Sequence, residues 1–153
     1  MPVTIRSAVL DDVAALLAIE QEAANAAHWT REQYAGLVES GIVLVAEERG
    51  NISGFVCAKA VAGDWEIENM VVAKQGRRRG IGSGLLDELL RRARSQSGAA
   101  VWLEVRESNQ AARRLYQKHE FRERGRRRGY YREPVEDAVL YEFVFEDKMT
   151  GSE

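Results

Sequence analysis

Residues 77–84 read Arg-Arg-Arg-Gly-Ile-Gly-Ser-Gly. Glycines in such a run let the backbone turn tightly and come close to a ligand. A helix follows, and the first N–H groups of a helix have no partner within it and lie at its positive end. With Arg78 and Arg79 beside them, Gly80, Ile81, Gly82 and Ser83 form a receptor suited to a diphosphate. The spacing argues against two other phosphate sites. A dinucleotide fingerprint needs G-x-G-x-x-G where this run is G-x-G-x-G, and a nucleoside triphosphate loop needs Gly-Lys-Ser/Thr. Other reactive residues are scattered. Glu66 and Glu68 share one strand face, Glu104 sits in mid-strand, and Tyr116 shares a helix face with Ala112, Leu115 and His119. Cys57 lies in the apolar run Phe55-Val56-Cys57-Ala58, where an inert buried thiol is expected over a covalent acyl carrier. His28 and His119 lack metal-ligand partners at sensible spacing, so no metal is expected.

The elements that must hold these residues follow from local pattern. Residues 3–6 read as a strand, and Asp11-Asp12 start a helix with apolar positions Val13, Leu16, Leu17 and Ala23. Thr30-Arg31-Glu32-Gln33 is a capping box opening a second helix. Residues 42–48, 52–60 and 65–73 read as strands, and 82–95 as a helix with Leu85, Leu86, Leu89, Leu90 and Ala93 on its buried stripe. Residues 99–106 alternate Val101, Leu103 and Val105 against Trp102, Glu104 and Arg106. Asn109 suits the cap of a helix over 109–120, and 121–128 with 137–146 read as a final antiparallel pair. The order β-α-α-β-β-β-α-β-α-β-β predicts a mixed α/β domain.

A chain of 153 residues suits one globular domain, expected over 1–147 with a flexible tail at 148–153. Net charge is −2, which gives no global electrostatic case for nucleic acid or membrane. The lone cysteine excludes an intramolecular disulfide, and no apolar signal or membrane-length segment is evident, so a cytoplasmic location is expected. Arg122, Arg124, Arg126, Arg127, Arg128 and Arg132 form a local basic run, read as solvated strand faces rather than as an acidic-partner or RNA surface.

The loop matches the Arg/Gln-x-x-Gly-x-Gly/Ala signature, and with Glu68-Asn69-Met70-Val71-Val72, Trp102-Leu103-Glu104-Val105-Arg106-Glu107-Ser108-Asn109, Leu115-Tyr116 and Tyr130-Tyr131 the chain resembles the GNAT acetyltransferase superfamily. The nearer resemblance is to RimI-type peptide alanine N-acetyltransferases, which act on the N-terminal amine of a small-subunit ribosomal protein. The resemblance implies a GNAT fold, a mostly antiparallel sheet of about seven strands with four helices. It implies acetyl-CoA as co-substrate and no metal. It implies that Met70, Val71 and Val72 hold the pantetheine arm, that Arg78, Arg79, Gly80, Ile81, Gly82 and Ser83 surround the diphosphate, and that Asn109 bonds the cofactor further along. A splay between residues 65–73 and 99–106 would admit the thioester.

By the same resemblance Glu104 aligns with the proton acceptor and Tyr116 with the proton donor, while Tyr130 and Tyr131 line a peptide groove. Glu66 and Glu68 could share the base role, directly or through water, or form an amine-attracting mouth, and Trp29 and Asp137 are further candidates for the groove. An α-amine of pKa about 7.7–8.0 is roughly a tenth neutral at pH 7, against about a thousandth or less for a lysine. An α-amine therefore asks less of its base, and a protein or peptide N-terminus is the expected substrate, a ribosomal protein among the candidates. Lysine, a free amino acid, a polyamine, another small amine, or a non-catalytic acyl-CoA-binding role are the alternatives. Monomer and dimer stay open, and neither membrane nor nucleic acid is an expected partner. In one place the pattern departs: His119-Glu120 replaces the usual Leu-Gly, which predicts a different exit from the helix beside Tyr116.

Overall fold

The computed structural model describes residues 3–23, 28–74 and 80–145. Alternating β-branched and aromatic residues build seven strands in a single sheet among the described residues, in the order β1-β2-β3-β4-β5-β7-β6. They are β1 (Thr4–Ser7), β2 (Ile42–Glu48), β3 (Asn51–Val61), β4 (Asp64–Val72), β5 (Ala100–Arg106), β6 (Arg122–Tyr131) and β7 (Glu136–Val144). The helices are α1 (Val13–Glu22), α2 (Arg31–Ser40), α3 (Ile81–Ser95) and α4 (Gln110–Lys118), so the predicted order holds. A short 3-10 turn at Leu10–Asp12 leads into α1. β6 runs three residues past its predicted end and takes in Tyr130 and Tyr131. The predicted tail lies outside the described residues.

Thr30 caps α2 as its capping box foretells. Its Oγ accepts from the Gln33 N–H at 3.1 Å, and its own N–H donates to Gln33 Oε1 at 2.8 Å. Two apolar clusters sandwich the sheet. On one face Leu85, Leu86, Leu89 and Ala93 of α3 pack on Leu44, Val56, Val101 and Leu103. On the other, Val13, Leu16 and Ile19 of α1 and Tyr34 and Leu37 of α2 pack on Val43, Val45, Phe55 and Cys57.

Every strand pair is antiparallel except β4 with β5, which are joined through α3, a crossover that parallel strands require. That pairing runs through Trp65↔Val101 and Glu66↔Trp102 and stops. The cause lies two residues further along β4. Cys57 pairs with Asn69 and Ala58 with Ile67, so Glu68 is the extra residue of a β-bulge. Trp65 and Ile67 face α3, whereas beyond the bulge Asn69 is buried and Val71 joins the α1–α2 cluster, with Met70 and Val72 now on the α3 side. A bulge bends and twists its strand, and here β4 leaves β5 at the bulge. The sheet opens as a V.

Candidate active site

The V encloses a cavity of about 330 Å³. Glu68, Asn69 and Met70 line one wall and Leu103, Glu104, Val105 and Arg106 the other, with Asn109, Ala112 and Tyr116 of α4, Tyr131 of β6 and His28 around them. The structure thus brings together six of the predicted residues, Glu68, Met70, Glu104, Asn109, Tyr116 and Tyr131.

α3 begins against the end of β4 and against α4. Gly80 is its N-cap with φ 77°, a left-handed conformation that favours glycine, and open space lies where a Cβ would stand. Glycine brings no capping side chain, so the first N–H groups of α3, from Ile81 onward, face outward for an anion. Gly82 lets α4 approach: a Cβ there would sit 3.3 Å from Leu115 Cδ2 and 3.8 Å from Val72 Cγ2. Ser83 hydrogen-bonds through Oγ to His119 Nε2 at 3.1 Å, and His119 Nδ1 lies 3.0 Å from Asp87. Arg78 and Arg79 lie outside the described residues. Val71 turns its side chain into the α1–α2 core, leaving its backbone on the strand that borders the cleft.

Glu104 pairs across β5–β7 with Leu140 and is largely buried, its side chain 14% exposed. The guanidinium of Arg127, reaching over from β6, meets Glu104 Oε2 at 2.5 Å. Tyr116 is buried against Phe121 and Tyr141, with ring centroids 5.5 and 6.3 Å away. Burial, and then the neighbouring Tyr131, raise its hydroxyl above the ordinary phenol range. Tyr131 is pushed up to about 12 by burial and next by the charge of Glu104. Arg106 holds that ring in place, its guanidinium 4.4 Å from the centroid and bonded to Glu136 at 3.0 Å.

Glu66 and Glu68 stand beside one another, and Lys59 reaches them at 4.0 and 3.2 Å. Glu66 is pushed up to about 7, first by burial and then by the charge of Glu68, with Glu104 adding to it. A carboxyl group that exchanges its proton near neutrality could serve as a base, the role the sequence left open for Glu66 and Glu68.

Trp29 and Tyr130 fall outside the cleft. Trp29 stacks on Tyr34 at 6.1 Å, and its neighbour His28 lines the cavity instead. Tyr130 is 49% exposed under the guanidinium of Arg127. Asp137 accepts from the Gly129 N–H at 3.0 Å, a turn contact. Asn109 caps α4, accepting from the Ala112 N–H at 3.2 Å while it lines the cleft. Cys57 is fully buried, which raises its thiol out of the reactive range.

The exit of α4 corrects an expectation. Glu120 adopts φ 71°, the conformation a glycine would take. Phe121 N–H reaches Tyr116 O at 3.0 Å and Glu120 N–H reaches Gln117 O at 3.0 Å, which together make a Schellman motif. The Tyr116–Phe121 ring contact is its apolar clasp. The helix leaves as it would with glycine, at a cost of about 1 kcal/mol of backbone strain, and the surroundings of Tyr116 keep their geometry.

One network escaped the sequence reading. Glu20, 2% exposed, accepts from the Tyr34 hydroxyl at 2.6 Å and the Trp29 N–H at 2.8 Å, and Asn69 Nδ2 donates to the Tyr34 oxygen at 3.1 Å. It ties α1 and α2 to the bulge. The available signal was a glutamate on the helical stripe of Val13, Leu16 and Leu17.

The comparisons agree with this architecture. Residues 10–121 match the Acetyltransferase (GNAT) family. The ribosomal protein bS18-alanine N-acetyltransferase of Escherichia coli (strain K12) is 32% identical over 140 residues, 90% of this chain and 94% of that protein. The crystal structure of the ribosomal-protein-S18-alanine N-acetyltransferase from Escherichia coli superposes with TM-score 0.85 at 29% identity, over 95% of this chain and 96% of that one. Ard1 from Thermoplasma volcanium gives 0.86 at 26% identity, over 96% and 100%. The chain belongs to the GNAT family and is an acetyl-CoA-dependent N-acetyltransferase.

Proposed function

We propose that this enzyme acetylates the N-terminal α-amine of a protein, with Glu104 as proton acceptor and Tyr116 as proton donor. The observation that carries the proposal is the parting of β4 from β5, which brings Glu104, Tyr116 and Tyr131 into one cavity. Acetyl-CoA supplies an acyl group activated as a thioester. Ile81, Gly82 and Ser83 would hold its diphosphate by backbone N–H groups, with Met70, Val71 and Val72 along its arm. Glu104 takes the proton that the incoming amine sheds, and Tyr116 gives its proton to the departing sulfur. Burial keeps the phenol neutral and makes it a weaker acid, so the proton moves only as negative charge builds on the departing sulfur. A backbone N–H near Met70 or Val71 would stabilise the oxygen as it gains charge.

Glu68 and Glu104 on the two walls of the cavity, with Glu66 close to both, favour a cationic amine at the mouth, and the Escherichia coli relative is named for an alanine of ribosomal protein bS18. Turnover with a free N-terminal peptide, an N-terminally blocked lysine peptide and small amines tests the substrate class. The free N-terminus should be the best acceptor, and preference for the blocked lysine peptide would reject this reading.

One observation favours a second acceptor. Glu66, at about 7, is poised to take a proton at neutral pH, directly or through water. The pH profiles of Glu66→Gln and Glu104→Gln separate the two carboxylates.

A further inference from the structure

His119 stands where the sequence pattern departs from its relatives, with its imidazole between Ser83 Oγ at 3.1 Å and Asp87 at 3.0 Å. The ring is largely buried, its side chain 11% exposed, and it joins the C-cap of α4 to the first two turns of α3. We propose that His119 couples coenzyme binding to the uptake of a proton by setting the direction of the Ser83 hydroxyl. This rests on the reading of the α3 N-terminus as the diphosphate site.

The argument is a count of donors and acceptors. The Asp87 carboxylate accepts only, so Nδ1 of His119 carries a hydrogen and donates to it. In the neutral ring Nε2 then holds a lone pair and accepts the Ser83 O–H. The hydroxyl hydrogen then points at histidine, and Ser83 has only lone pairs left to offer elsewhere. A diphosphate is also an acceptor only. For Ser83 to donate to it, the hydroxyl must turn, which sets its lone pair against that of Nε2. A proton on Nε2 removes the conflict: Nε2–H donates to Ser83 Oγ, and Ser83 O–H donates to the phosphate. Of the three side chains, imidazole is the one that can carry the second N–H this arrangement needs. Asp87 of α3 faces the ring, Arg91 one turn further along α3 is bound to Glu88, and Lys118, Glu120 and Arg122 are the charged residues nearest His119 in the chain. With leucine at position 119 the coupling has no carrier.

Calorimetry with the acetyl thioester of 3′-dephosphorylated coenzyme A, in buffers of unlike ionisation enthalpy, reads the proton directly. Its diphosphate and blocked sulfur do not titrate near neutrality. The native chain should take up a fraction of a proton that grows with pH, with affinity falling by up to about tenfold per pH unit at the alkaline end. His119→Leu and Ser83→Ala should each bind with no uptake and with a flat pH dependence. Binding without uptake in the native chain, or uptake that survives His119→Leu, would overturn the coupling and leave the diphosphate reading standing. Absence of any binding would remove both.

Discussion

Glu20 and Glu66 are both acidic residues drawn toward the interior, and their surroundings differ in sign. Around Glu20 stand donors: the Tyr34 hydroxyl, the Trp29 N–H and, at 3.6 Å, His28. Around Glu66 stand the like charges of Glu68 and Glu104, offset by Lys59 at 4.0 Å. A carboxylate that finds donors becomes part of the scaffold, because its desolvation is repaid by charge-assisted bonds. One that finds other carboxylates keeps a proton to exchange. The two lie on either side of the bulge at Glu68, and Asn69 carries the scaffold network up to the edge of the reactive cluster.

If the reactive side is as proposed, Glu104→Gln should lower kcat by about 10²–10⁴-fold with coenzyme affinity near the native value. Steady-state kinetics beside calorimetry checks this, and an unchanged kcat would take Glu104 out of the mechanism. Tyr116→Phe should cost about 10²-fold in kcat while the ring contacts to Phe121 and Tyr141 keep the fold. Native stability with native turnover would assign Tyr116 to packing alone. On the scaffold side, Tyr34→Phe leaves Glu20 and Asn69 short of a partner and should cost about 1–3 kcal/mol. That corresponds to a melting point lower by roughly 3–10 °C, and an unmoved melting point would dissolve the contrast between the two carboxylates.

The smallest effect concerns pH. Glu66 has its value raised from an ordinary 4.5 to about 7, so the folded chain binds its proton more tightly than the unfolded chain does. Its contribution to stability is present below about 4.5 and is lost as pH rises through about 7. Glu66→Gln should flatten that decline, as read by chemical denaturation at several pH values. If Glu66 also receives a proton in turnover, the rise in kcat/KM near pH 7 should vanish in the same variant. A rise that persists there would leave the task to Glu104.

The basic run on β6 teaches the same lesson from the surface. Arg124 pairs with Glu142, Arg126 with Glu107 and Glu123, and Arg127 with Glu104. Charges that are clustered in sequence are in good part answered in space by carboxylates of β5, β7 and the turn after β5.

Local physics was legible along the chain. The capping box at Thr30, the apolar stripe of α3, the alternation of β5 and the glycine turn at Gly80 each depend on residues a few positions apart, so the element order and the face carrying Glu104 could be read directly. The exit of α4 was misread because a missing glycine predicts another turn, whereas the Phe121 clasp on Tyr116 holds Glu120 in the left-handed conformation. The bulge at Glu68, the parting of β4 from β5, the Glu20–Tyr34–Asn69 network and the hold of Arg127 on Glu104 were decided by tertiary structure alone. Each joins residues far apart in the chain, and which carboxylate meets a donor and which meets another carboxylate depends on packing that no local pattern encodes.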